Sequence, residues 1–261
     1  MSEAIKEVVK KTYTDVLTKD TGCGCGPSCC SPTQEVEFSE SYSKLEGYVP
    51  DADFGLGCGI PTEFAKIKEG DTVLDLGSGA GNDVFVARSI VGETGRVIGV
   101  DMTEAMIEKA NKNNQKLGFE NVEFRYGEIE NLPVDDATID VAVSNCVMNL
   151  VPDKNKAYSE VHRVLKPNGH FSISDIVLSG ELPGSIRNAA AMYAGCVAGA
   201  LEKSDYINSI REAGFRNIEI VKEREINLPD NLLLQFISRD ELNEYRESKS
   251  AVLSITVYAD K

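Results

Sequence analysis

Past residue 71, short apolar runs alternate with longer amphipathic stretches. TVLDLGS (72–78) is apolar at most positions, as a strand covered on both faces requires. A glycine-rich turn follows it, then a helix predicted from Asp83 to Val91. RVIGVD (96–101) is the second strand. Thr103 stands where a helix N-cap is expected, and EAMIEKANKNNQKLG (104–118) is a helix closed by Gly118. VEFRYGE (122–128) and IDVAVSN (139–145) are further strands. KNKAYSEVHRVLK (154–166) is a helix that Pro167 and Asn168-Gly169 should stop, and HFSISDIV (170–177) is a fifth strand. A helix at 206–214, a strand at 216–223 and a last strand at 251–259 complete the series. The rhythm predicts an α/β fold: a doubly wound, mostly parallel, seven-stranded sheet with helices on both faces.

The ends and one insert break this rhythm. Residues 2–19 read as a charged amphipathic helix, and TGCGCGPSCCSP (21–32) is too rich in Gly, Ser and Pro for regular structure. The stretch up to residue 68 mixes loop and short helix, with Pro50 and Pro61 as breakers. Residues 184–201, GSIRNAAAMYAGCVAGAL, read as an Ala/Gly-rich helical lid. We therefore divide the chain into an N-terminal helix with a Cys-rich mobile segment (1–68) and the sheet domain (69–261).

Charge narrows the partners. The 261 residues carry a net charge of −15, which opposes binding to a phosphate backbone or an anionic membrane. No apolar run is long enough to span a bilayer, and the N-terminus lacks a signal core, so a cytoplasmic protein is expected. In a reducing compartment, the seven cysteines point to catalysis, ligation or redox chemistry more than to structural disulfides.

LDLGSGAGND (74–83) joins the first strand to its helix. Gly77 and Gly79 allow a sharp turn and close ligand approach, and Gly81 allows the helix to pack tightly on the strand. The second strand ends in Asp101, placed to hold two ribose hydroxyls. A dinucleotide's pyrophosphate would meet carboxylates at Asp75 and Asp83, whereas an ammonium or a sulfonium would be welcome there. The pattern thus favours S-adenosylmethionine over a dinucleotide. Met102 is a candidate contact to the adenine face, Glu128 and Ile129 to its edge, and Asn145 to the same cofactor.

Three cysteines stand alone: Cys58 in GLGCGIP, Cys146 in SNCVMNL and Cys196 in YAGCVAGAL. Their separation excludes a local zinc knuckle and suits a site assembled by the fold. Cys146 follows the fourth strand, on the edge where open α/β sheets hold ligands. Soft thiolates select Cu(I), Zn(II), iron–sulfur clusters or As(III). Zinc prefers a fourth ligand, and the only histidines, His162 and His170, sit where structural roles are expected. Trivalent arsenic takes three thiolates and keeps a nucleophilic lone pair, which beside a sulfonium methyl makes a reaction.

LDLGSGAGND, GVDMTEAMI, GEIENLP, SNCVMNL and GCVAGAL together resemble the arsenite methyltransferases of the class I S-adenosylmethionine-dependent superfamily, over nearly the whole chain. The resemblance implies a Rossmann-like methyltransferase fold, arsenic bound by Cys146 and Cys196, and Cys58 needed for the first methylation. It also implies a disulfide between Cys58 and an upstream cysteine, Cys30 or Cys29, and a reductant such as glutathione or thioredoxin. A monomer acting on arsenite and methylarsenite is expected. Two departures stand out: longer relatives carry a C-terminal domain without counterpart here, and Leu56 replaces an aromatic residue. Cys23 and Cys25 extend the upstream cluster without an assigned role. The rival readings are a quinone- or sterol-type methyltransferase, which needs no thiols, and a thiol protein that sequesters metal or arsenic without the cofactor.

Overall fold

The computed structural model describes residues 2–19, 39–180, 199–248 and 250–261. Its centre is a seven-stranded sheet in the order β3-β2-β1-β4-β5-β7-β6. The strands are β1 (Thr72–Leu76), β2 (Arg96–Asp101), β3 (Val122–Tyr126), β4 (Ile139–Asn145), β5 (Leu165–Ser179), β6 (Arg216–Ile226) and β7 (Ala251–Asp260). β1 to β5 pair in parallel, while β7 runs antiparallel between β5 and β6. The order reverses around β1, which has β2 on one side and β4 on the other. A crevice therefore opens at the carboxyl ends of β1 and β4, where ligands of such sheets bind.

Helices α1 (Ser2–Lys19), α2 (Asn82–Val91), α3 (Glu104–Leu117), α4 (Lys154–Val164) and α5 (Lys203–Glu212) flank the sheet. α3 buries Met106, Ala110 and Asn113, one face of a helix, and ends in Gly118 at φ 71°, the left-handed cap that glycine adopts without strain. Thr103 occupies the N-cap position, yet its side chain makes no cap bond. Its backbone N–H instead donates to Asp101 Oδ1 at 2.8 Å, so the cap residue serves the end of β2. α4 ends at Val164, earlier than expected, and Leu165 already belongs to β5. Pro167 disfavours helical backbone at Lys166, so the chain extends before the proline rather than at it. The ladder then skips from the Ile139–Leu165 pair to Val141–His170, and Asn168 takes φ 67° within the irregularity.

Sequence reading did not identify two short helices, α6 (Asp230–Leu233) and α7 (Arg239–Glu247). The second carried a legible signal: Ser238 and Glu241 form a reciprocal capping box. The residues before β1 also pack on the core: Tyr42, Ala52, Cys58, Ile60 and Ala65 are all buried. No helix among the described residues is long and apolar enough to cross a membrane. The proposed lid (184–201) lies almost wholly outside the described residues.

Candidate active site

A cleft open to solvent occupies the crevice. Asp75 and Gly77 reach it from the end of β1, Asp101 and Met102 from β2, Glu128 and Ile129 from the loop after β3, and Asn145 from β4. Gly79 lines it as well. A β-carbon on Gly79, at φ 51°, would meet nothing within 4 Å, so this backbone faces open space that a ligand can enter. Gly81 does not line the cleft and serves packing instead: a β-carbon there would fall 2.8 Å from the Phe85 ring and 2.9 Å from Phe124.

The lining is strongly acidic. Glu40, Asp53, Asp75, Asp83, Asp101, Glu128 and Glu130 border the cleft, and Lys6 of α1 is the one cationic side chain among its described lining residues. Lys6 Nζ lies 2.7 Å from Glu128 Oε2 and 2.6 Å from Glu130 Oε2, so α1 is fastened across the rim. Burial alone would lower the Lys6 pKa; the bonds and charges of the two glutamates outweigh it and raise it. Burial beside Asp83 and Asp101 pushes the Asp75 carboxyl well above the usual range. Burial also lifts Asp83 to about 6, against the pull of hydrogen bonds from Tyr42 and Asn145. Asp101 is raised by burial too, although backbone N–H groups of Thr103 and Gly79 bond its two oxygens. Carboxylates gathered at such cost suit a cation and repel phosphate. Ser78 Oγ and Asn82 Oδ1, both on the lining, are buried without a hydrogen-bond partner among the described residues. A nucleoside carrying an amino acid and a sulfonium fits this set: acids for its positive groups, unsatisfied oxygens for its donors.

The thiols lie just behind the cleft wall. Cys58 and Cys146 are both buried, and their flanking residues Gly57, Asn145 and Val147 line the cleft. Two sulfurs and an oxygen of Asp175 lie within 4.8 Å of one another. Neither histidine joins them: His170 Nε2 is 2.6 Å from the Ala65 carbonyl oxygen, and the His162 ring packs edge-on against Phe215.

Cys146 has φ 62°, a left-handed conformation that costs a non-glycine residue about 1–3 kcal/mol and concentrates at functional sites. Its N–H donates to the Ser174 carbonyl at 2.7 Å, which holds the turn against β5. The loop carrying Cys58 is clamped from two strands. Ser254 Oγ of β7 donates to the Cys58 carbonyl at 2.6 Å, and Asn145 Oδ1 of β4 accepts from the N–H of Cys58 at 2.9 Å and of Gly59 at 3.3 Å. Asn145 Nδ2 donates to the Gly59 carbonyl, to Tyr42 Oη and, more weakly, to Asp83 Oδ2. This side chain thus joins the thiol loop to the cofactor cleft, a role sequence reading did not foresee.

Asp175 was also not foreseen. It sits fully buried in β5, and burial lifts its pKa to about 7. Its oxygens accept from the Asn149 N–H and side-chain amide, the Ile176 N–H and, at 3.4 Å, Tyr206 Oη. The only sequence signal was a lone acid in the apolar run HFSISDIV. Cys196, Cys30, Cys29, Cys23 and Cys25 lie outside the described residues.

Residues 67–214 match the model of a methyltransferase domain. The chain is similar to an arsenite methyltransferase of Halobacterium salinarum, 43% identical over 236 residues that cover 85% of this chain and 60% of that protein. A second arsenite methyltransferase, from Aquipseudomonas alcaligenes, is 34% identical, covering 88% of this chain and 67% of that protein. Among solved structures, an arsenic (III) S-adenosylmethionine methyltransferase from Chlamydomonas reinhardtii is 40% identical with a TM-score of 0.67, covering 78% of this chain and 67% of that one. The chain thus spans only about 60–67% of the length of these relatives.

Proposed function

The chain belongs to the methyltransferase-domain family and, within it, to the arsenite methyltransferases, and on that premise we propose that it transfers methyl groups from S-adenosylmethionine to trivalent arsenic held by cysteine thiolates. The observation that carries this reading is the pairing of Cys58 with Cys146, drawn together from distant segments behind the wall of an acid-lined cleft.

In this reading Asp75 and Asp83 would hold the cofactor's positive groups, Asp101 its ribose hydroxyls, and Met102, Glu128 and Ile129 its adenine. Bound there, it supplies an electrophilic methyl group. Arsenite arrives as a neutral acid. Each thiol displaces one arsenic hydroxyl, forming an As–S bond and releasing water that carries the thiol proton. Cys58, Cys146 and Cys196 complete a pyramid, leaving the lone pair toward the cleft. No general acid or base is needed for methyl transfer; alignment carries the rate, and well-placed reactants supply about 7–11 kcal/mol.

In this division residues 1–68 are the N-terminal helix and Cys-rich segment, and residues 69–261 are the methyltransferase domain. Cys30 or Cys29 closes a disulfide with Cys58 during turnover, and a thiol reductant such as glutathione or thioredoxin reopens it. The protein works as a cytoplasmic monomer on arsenite and methylarsenite.

The test is incubation with arsenite, a thiol reductant and methyl-labelled cofactor, followed by separation of arsenic species. Labelled methylarsenic, lost when the cysteines are alkylated, is expected. Methylation of an organic acceptor that survives alkylation would favour the quinone-type reading. Arsenite binding without cofactor binding would favour sequestration.

A further inference from the structure

Methyl transfer relocates charge. The arsenic lone pair forms the As–C bond while the sulfonium C–S bond breaks and leaves its electron pair on sulfur. The positive charge therefore passes from cofactor sulfur to arsenic. In the reading above, the cleft acids Asp75 and Asp83 stand where that charge starts. They resist its departure unless another negative group waits where it arrives.

One does. The Asp175 oxygen lies within 4.8 Å of both sulfurs, and two backbone N–H groups, one side-chain amide and one tyrosine hydroxyl donate to its carboxylate. Lys154 is a cation that acts on it, and its ammonium also reaches the carbonyls of Asn149 and Val151 at 3.5 Å and 3.3 Å. Burial lifts the Asp175 pKa to about 7, against which the Ile176 and Asn149 N–H groups, Lys154 and Tyr206 favour the charged form, and the four donors hold the carboxylate in place out of solvent. Fixed charge in a dry site needs no reorganisation as the reaction proceeds, which is the condition for strong electrostatic catalysis. The same carboxylate also ties down Asn149, three residues beyond Cys146, and so steadies the turn that carries that thiol.

We propose that Asp175 is the counter-ion for the positive charge that develops on arsenic during methyl transfer. The inference rests on the arsenic reading above. It assigns Asp175 to the transition state and its product, with little part in capturing neutral arsenite. A purely structural role would instead weaken arsenic binding and folding together.

The experiment compares the wild-type protein with Asp175→Asn, a change that keeps the shape and removes the charge. Arsenite affinity is read from protection of the thiols against alkylation. Methyl transfer is read in a single turnover of protein preloaded with arsenite, and folding by thermal melting. The expected result is arsenite affinity within about 3-fold of wild type and methyl transfer slowed roughly 10²-fold, the size seen when one electrostatic stabiliser is removed. Single-turnover rates within 3-fold of wild type would overturn the proposal alone. So would a loss of arsenite affinity as large as the loss of rate. If the wild-type protein transfers no methyl group to arsenic, the functional reading falls and this falls with it. Should Asp175→Asn melt below assay temperature, Asp175→Glu and Asp175→Gln form a size-matched pair. The glutamate must then be at least 10-fold faster than the glutamine, and equal rates would refute the assignment.

Discussion

Replacing Asn145 by alanine should release the Cys58 loop from the sheet. The side chain makes five hydrogen bonds, to five different groups or atoms around it. Three are short: 2.9 Å from the Cys58 N–H, 2.8 Å to the Gly59 carbonyl and 2.7 Å to Tyr42 Oη. The other two, at 3.3 Å, are weak. At about 1 kcal/mol net for each good bond, the loss is about 3 kcal/mol. It approaches about 5 kcal/mol if the stranded N–H groups find no water. For a chain of this size, 1 kcal/mol corresponds to about 2–4 °C in Tm, so a fall of about 6–12 °C is expected. Thermal melting followed by circular dichroism measures it, and the alkylation rate of Cys58 should rise in parallel. Asn145→Asp is an informative companion. It keeps the acceptor for the Cys58 N–H but removes both donors and sets another acid beside Asp83, so its defect should ease as pH falls. A stability loss below about 1 kcal/mol in Asn145→Ala, with unchanged Cys58 alkylation, would refute the idea that this amide holds the thiol loop.

Three further outcomes follow from the site. Cys146→Ser and Cys196→Ser should each abolish methylation of both arsenite and methylarsenite, whereas Cys58→Ser should lose arsenite and keep some activity on methylarsenite; chromatography with arsenic detection separates the cases. Lys6→Met removes the fastening of α1 to Glu128 and Glu130 and should raise the cofactor Kd about 10-fold, about 1.4 kcal/mol, with equilibrium dialysis as the assay. The Asp83 pKa rises from 3.8 to about 6 on folding, so the folded state holds the extra proton across that window and stability must fall as pH climbs through it. The total is at most about 3 kcal/mol, so Asp83→Asn should out-melt the wild type above pH 6 while binding the cofactor less tightly.

The fold was legible because its signals are local. Apolar runs such as IDVAVSN become strands buried on both faces, and Gly118 ends α3 in the left-handed conformation expected of it. The glycine turn and the acid at the end of β2 come together in one cleft because parallel strands place their carboxyl ends side by side. Partnerships across the chain were not legible. Nothing in SNCVMNL says that Asn145 reaches back 87 residues to the Cys58 N–H, or that Asn149 meets Asp175. Asp175 looked like one acid inside a strand, and only the fold gives it two sulfurs as neighbours. Lys6 was read as part of a charged helix face, yet tertiary packing turns it inward onto two glutamates. The end of α4 was misplaced for a local reason: the proline acts on the residue before it, so extended backbone begins ahead of the proline.

The central claim is that sulfur atoms remote in the chain hold one arsenic atom beside the cofactor cleft, and X-ray absorption at the arsenic edge reads its ligands directly. Arsenite bound to the reduced protein, with no small thiol present, should show three sulfur neighbours, and one fewer in each of Cys58→Ser, Cys146→Ser and Cys196→Ser. An oxygen-only shell in the wild type, or a sulfur count unchanged in Cys58→Ser and Cys146→Ser, would contradict the account.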